Sequence, residues 1–145
     1  NYRLSDIHAA LGLSQLKRLD QYVSNRQALA SRYNELLAGL PVLLPLAFDD
    51  CYSAFHLYII RIVPQKNTAS HLEVFESLKA QGIGVNIHYI PIHLQPFYQQ
   101  MGFKEGDFPE AESYYQQAIT LPLYPTLTYQ QQDQVIAALT KVLKL

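Results

Sequence analysis

The sequence predicts an α+β domain: a short, mostly antiparallel sheet covered by helices and preceded by a long helical segment. Three observations carry that expectation. Nearly half of the 145 residues are apolar (49%), enough for one hydrophobic core. Two capping boxes, Ser70 with Glu73 and Thr128 with Gln131, each open an apolar run of helical spacing. Between helical stretches lie runs rich in β-branched residues, at 58–63 and 83–87, whose composition and alternation favour strands.

Taken in order, Ser5 is a good N-cap and Asp6 places negative charge in the first turn of a helix reaching to about Tyr22. Ile7, Ala10, Leu11, Leu16, Leu19 and Val23 recur at helical spacing, with Ala9, Leu13 and Tyr22 outside a single stripe. So wide an apolar set, with the small residues Ala9, Ala10 and Gly12, suits either a buried core helix or one wedged between two domains or subunits. A second helix, Gln27 to Leu40, places Leu29, Tyr33, Leu36 and Leu37 on one face and stops at Gly39 and Pro41.

Tyr58, Ile59, Ile60, Ile62 and Val63 favour a central strand within the stretch 53–63. The helix capped by Ser70 turns Leu72, Phe75 and Leu78 inward and ends at Gly82. Ile83, Val85 and Ile87 alternate with Gly84, Asn86 and His88, the pattern of a half-buried strand. Pro91 and Pro96 then predict an irregular loop through Tyr89 to Phe97, at a strand end where binding residues commonly sit. Asp107 caps a helix with Pro109 in its first turn and Ala111, Tyr114, Tyr115 and Ala118 inside; Pro122 and Pro125 frame an extended link. The last helix turns Val135, Leu139 and Val142 inward and carries Lys141 and Lys144 at its end. Residues 1–145 thus read as a single domain, with 1–40 a helical connection and 41–145 the α+β body.

Charge narrows the function. The formal net charge is −1, and the basic residues are interspersed with acidic ones, so the basic stripe of a nucleic-acid binder is missing. No apolar run approaches the roughly 20 residues that cross a bilayer, and the start lacks a signal-peptide pattern. The single cysteine, Cys51, has no disulfide partner, which fits a reducing compartment and makes cytoplasm the expected location. Asp49 and Asp50 beside it would raise a thiol pKa, against a catalytic thiolate. Of five histidines only His88 and His93 share a loop, without HExxH or clustered carboxylates, so no metal site is expected. The glycines are isolated, and no phosphate loop is formed.

Four segments carry a resemblance. NYRLSDIHAALGLSQLKRLD (1–20), NRQALASRYNELL (25–37), HYIPIHLQPFYQQMGF (88–103) and FPEAESYYQQAITLPLYPTLT (108–128) resemble sugar aminotransferases of the DegT/StrS type, over essentially the whole chain. The last two are most similar to the branch acting on UDP-linked 4-keto-6-deoxy sugars in pseudaminic acid biosynthesis. Members are fold-type I enzymes using pyridoxal 5'-phosphate, usually homodimers, with glutamate as amino donor and a nucleotide-linked keto sugar as acceptor.

The resemblance implies that this chain is the small carboxyl-terminal domain, a fragment whose Schiff-base lysine and most phosphate ligands lie upstream. None of the six lysines, Lys17, Lys66, Lys79, Lys104, Lys141 and Lys144, follows the family's lysine motif, so no catalytic residue is expected within the chain. It implies that Asn1 reaches the cofactor phosphate of a neighbouring subunit, and that Arg3 either joins that cofactor site or ties the first helix to the large domain. It also implies that His88, Tyr89 and His93 line the loop closing over the sugar nucleotide. A perosamine-type relative, or a non-catalytic dimerisation or sugar-nucleotide-binding domain, would share these features. An open reading frame continuing upstream into a lysine-bearing domain excludes the non-catalytic alternative.

Overall fold

The computed structural model describes residues 2–48, 50–63 and 69–143. Helices α1 (Asp6–Leu16) and α2 (Leu19–Leu37) lead into strand β1 (Val42–Leu43) and strand β2 (Tyr58–Ile62). Helix α3 (His71–Ala80), a 3-10 turn (Ile92–Leu94), and the short helices α4 (Pro96–Gln100) and α5 (Pro109–Tyr115) follow. Strand β3 (Ala118–Leu121) and helix α6 (Tyr129–Val142) complete the order. The sheet is antiparallel throughout, in the order β1-β2-β3, so the expected central strand is β2.

Alternation along β2 divides the sheet into a covered and an open face. Tyr58, Ile60 and Ile62 are buried against α2, α3 and α6, while Ile59 and Arg61 are only half-buried on the other side. Tyr33 of α2 stacks on Tyr58 with ring centroids 4.9 Å apart, a pair worth about 1 kcal/mol beyond its burial. Each hydroxyl has a partner: Tyr33 donates to the Pro122 carbonyl at 3.0 Å and Tyr58 to Asn34 Oδ1 at 2.6 Å. Burial therefore raises both phenolic pKa values without leaving either hydroxyl unsatisfied.

Three of the expected caps, Ser5, Ser70 and Thr128, stand where the sequence puts them. Ser5 accepts from the His8 amide, and both capping boxes, Ser70 with Glu73 and Thr128 with Gln131, are closed in both directions.

Several boundaries differ from expectation. The first helix ends at Leu16 and the break falls at Lys17–Arg18; the polar run 24–27 is interior to α2. Its side chains have partners that make a helical path worthwhile: Asn25 donates to the Pro125 carbonyl, and Arg26 to the carbonyls of Phe55, His56 and Leu123. Helix α1 buries no residue within this chain, which rules out the core-helix reading here. In α3, Val74 and Leu78 are buried and Phe75 partly so, whereas Leu72 is exposed. The alternating segment 83–87 makes one bridge, Asn86 with Thr120, and no continuous strand.

The loop after it is more regular than two prolines suggest. Pro96 occupies the first turn of α4, where a missing N–H costs nothing. Phe108, not Asp107, is the N-cap of α5; the Asp107 carboxylate accepts from the Lys104 amide and closes the preceding turn. Ala118 begins β3, a strand buried at all four positions and unread in the sequence. Among the described residues, no helix is long and apolar enough to cross a membrane.

Candidate functional site

The site grows from one bridging pair. Thr120 of β3 donates its amide to the Asn86 carbonyl at 2.8 Å and its carbonyl accepts the Asn86 amide at 3.3 Å, pinning the start of the loop to the outer edge of β3. The Asn86 side-chain oxygen accepts from the Ile87 amide at 2.8 Å, which fixes the orientation of its amide group. Its Nδ2 is therefore the atom 3.4 Å from His88 Nε2. His88 Nδ1 lies 2.7 Å from Thr120 Oγ1. With Nε2 facing an N–H donor, the proton of a neutral ring belongs on Nδ1 and is donated to Thr120. A hydroxyl on a buried strand and an amide on the loop thus hold the imidazole in one tautomer and one orientation.

Tyr89 stands edge-on to that ring, centroids 4.4 Å apart and planes at 90°, across a cis His88–Tyr89 peptide. It is 71% exposed, so an aromatic face and a phenolic hydroxyl are both presented to solvent. Flat faces with polar tips are suited to a sugar or a base.

His93 is placed differently. It is buried, 7% exposed, with Nε2 2.7 Å from Glu112 Oε1 and its ring 4.8 Å from that of Phe108. The Glu112 carboxylate also accepts from the Gly106 amide at 2.9 and 3.0 Å and from the Phe108 amide at 3.4 Å. The hydrogen bond from His93, helped by these backbone amides, holds the Glu112 pKa below the ordinary carboxylate value despite burial. Of the three loop residues expected to touch substrate, His88 and Tyr89 are gathered at the surface, and His93 ties the loop to the turn before α5.

Beside this tie is a hollow of about 440 Å³, lined by Pro91, Ile92, Tyr98, Phe103, Phe108 and the His93 ring. Its walls are almost wholly apolar, so it has nothing to grip a sugar diphosphate. Glu112 was not foreseen as a site residue. Its signal was a carboxylate on the inner face of a short helix, spaced four residues after Phe108.

Lys17, Lys79, Lys104 and Lys141 are exposed, and the Lys79 ammonium lies over the Phe75 ring. Arg3 is exposed ahead of α1; Asn1, Lys66 and Lys144 lie outside the described residues. No group of three or more His, Cys, Asp or Glu side chains that could hold a metal ion occurs among the described residues. The exposed Cys51 thiol faces Asp50 at 3.5 Å.

The model of the DegT/DnrJ/EryC1/StrS aminotransferase family matches residues 1–140. The chain belongs to this family. Its fold is that of the small α+β part of these aminotransferases. Spore coat polysaccharide biosynthesis protein SpsC of Bacillus subtilis (strain 168) is 41% identical over 142 residues, covering 96% of the chain and 36% of SpsC. The structure of S. venezuelae DesV, solved in complex with a ketimine intermediate, superposes with a TM-score of 0.87 at 35% identity over 96% of the chain and 36% of DesV. Helicobacter pylori PseC, described as an aminotransferase involved in the biosynthesis of pseudoaminic acid, gives 0.88 at 31% identity over 99% of the chain and 38% of PseC. This DegT/DnrJ/EryC1/StrS family chain therefore spans a little over a third of the relatives it matches.

Proposed function

We propose that the chain is the carboxyl-terminal part of a pyridoxal-phosphate-dependent aminotransferase. The whole enzyme would move an amino group from glutamate to C4 of a UDP-linked 4-keto-6-deoxy sugar, in pseudaminic acid or surface polysaccharide biosynthesis. The observation that carries this reading is the oriented His88 ring with exposed Tyr89, on a loop pinned to the edge of the sheet at β3. What SpsC and PseC are named for supports a polysaccharide or nonulosonic acid setting.

In this reading His88 and Tyr89 contact the sugar nucleotide, and His93 serves substrate binding by holding their loop through Glu112. Asn1 and Arg3 are assigned to the cofactor phosphate, with the Schiff-base lysine upstream in a larger domain. Residues 1–40 connect to that domain, and the enzyme acts as a cytoplasmic homodimer. Exposed Ile7, Leu11, Leu13 and Leu16, spread around α1, support such a contact, because large apolar side chains clustered in water are costly.

The test is to assay the full-length protein with glutamate against a panel of UDP- and GDP-linked keto sugars. Turnover restricted to a UDP-linked 4-keto-6-deoxy sugar is the expected result. Preference for a GDP-linked sugar would favour a perosamine-type enzyme, and no turnover with any keto sugar would remove the reading.

A further inference from the structure

The arginines of the described chain differ sharply in what they are bonded to. Arg26 is spent on three backbone carbonyls, those of Phe55, His56 and Leu123. Arg32 pairs with Asp133 at 2.7 Å. Arg18 lies over the Tyr22 ring, and Arg3 is exposed at the start of the chain. Arg61 is half-buried in the central strand, yet its guanidinium has no hydrogen-bond or ion-pair partner among the described residues. A guanidinium held on a half-buried stem without a protein partner keeps its planar donors free for an anion.

Register shows where that anion would come from. Ile59 is opposite Thr120 and Arg61 opposite Ala118, and directly paired residues share a face. Arg61 therefore stands on the same open face of the sheet as Thr120, one alternate position along from the hydroxyl that orients His88. It lines a hollow of about 350 Å³ with Leu44, Leu46, Leu57, Ile59 and Tyr114, where apolar walls would strengthen a charge contact.

We propose that Arg61 is an oxyanion-binding residue of the reactant site, receiving a carboxylate or a phosphate group brought to the open face of the sheet. The proposal rests on the aminotransferase reading, whose two reactants, an amino-acid donor and a sugar nucleotide, both carry such groups. A planar guanidinium offers two parallel N–H donors to either.

The test uses the full-length protein and two probes, glutarate for the carboxylate and UDP for the diphosphate, titrated calorimetrically into wild type, Arg61→Gln and Arg61→Lys. The expected result is a rise of about tenfold or more in the Kd of one probe for Arg61→Gln, the scale of a lost charge-assisted hydrogen bond. A smaller rise is expected for Arg61→Lys, which keeps the charge and loses the fork. A shift confined to glutarate identifies the donor carboxylate, and one confined to UDP the sugar diphosphate. Kd values within about twofold of wild type for both probes would overturn the proposal, as would a fall in melting temperature alone, the mark of an ion pair with another part of the protein. Because binding is read directly, absence of turnover with every keto sugar would remove the aminotransferase reading and still leave the Kd shift to be seen.

Discussion

His93 Nε2 lies 2.7 Å from Glu112 Oε1, and that carboxylate also gathers the backbone amides of Gly106 and Phe108. One buried acid thus joins the loop that carries His88 and Tyr89 to the turn that starts α5. The pKa of Glu112 is lowered from its ordinary 4.5, so the folded state binds this proton more weakly than the unfolded chain does. Its contribution to stability is complete above the ordinary carboxylate value and is lost as pH falls through the lowered one. Glu112→Gln should lower the melting temperature at neutral pH and flatten the decline on acidification below about pH 4.5, measured by thermal unfolding across pH. Equal acid slopes in the two proteins would show that the carboxylate is not acting in this way.

The two buried tyrosines give the opposite sign. Their pKa values are raised by burial, so the folded state holds these protons more tightly, and stability should fall as pH rises above the ordinary phenolic value of 10. Tyr58→Phe removes the hydroxyl that donates to Asn34. Asn34 is exposed and can turn to water, so the change should cost only about 1 kcal/mol at neutral pH and weaken the alkaline decline, measured by denaturant unfolding.

Much of the architecture is visible in residues that settle local geometry unaided. Ser70 with Glu73 and Thr128 with Gln131 close their own caps, and the β-branched run at Tyr58–Ile62 favours the strand it forms. The misreadings fall where a distant partner decides. Ala118 reads as part of a helix, and the strand Ala118–Leu121 goes unread, because its identity depends on pairing with β2, about sixty residues earlier in the chain. The run 24–27 is helical because Arg26 finds carbonyls on other elements, and His93 turns inward because Glu112 is there. The position of His88 and Tyr89 on a loop was legible; the Thr120 hydroxyl that orients the ring was not.

A cofactor role for Asn1 has a measurable consequence in the full-length enzyme. Asn1→Ala should weaken pyridoxal phosphate binding by about 1 to 3 kcal/mol, the range for one hydrogen bond to a charged group. Fluorescence titration of the cofactor onto the apo-protein reads this directly, and an unchanged Kd would remove Asn1 from the site.

Gly12 tests the exposed helix. A Cβ there meets nothing within 4 Å in this chain, so Gly12→Leu adds no internal clash, and leucine is the better helix former by nearly 1 kcal/mol. The full-length variant should nonetheless lose subunit or domain contact, seen by sedimentation as dissociation or by calorimetry as a lower melting temperature. An intact, normally stable dimer would show that Gly12 faces open solvent in the whole protein.

The central claim, that the loop of His88 and Tyr89 reads the sugar while the cofactor is gripped elsewhere, is tested most directly by single-turnover kinetics on the full-length enzyme. His88→Ala, Tyr89→Ala and His93→Ala should each leave the cofactor spectrum and the half-reaction with glutamate close to wild type. Each should lower kcat/KM for the keto sugar by about tenfold or more, roughly 1.4 kcal/mol of transition-state binding. A failing glutamate half-reaction with normal keto-sugar kinetics would contradict the account.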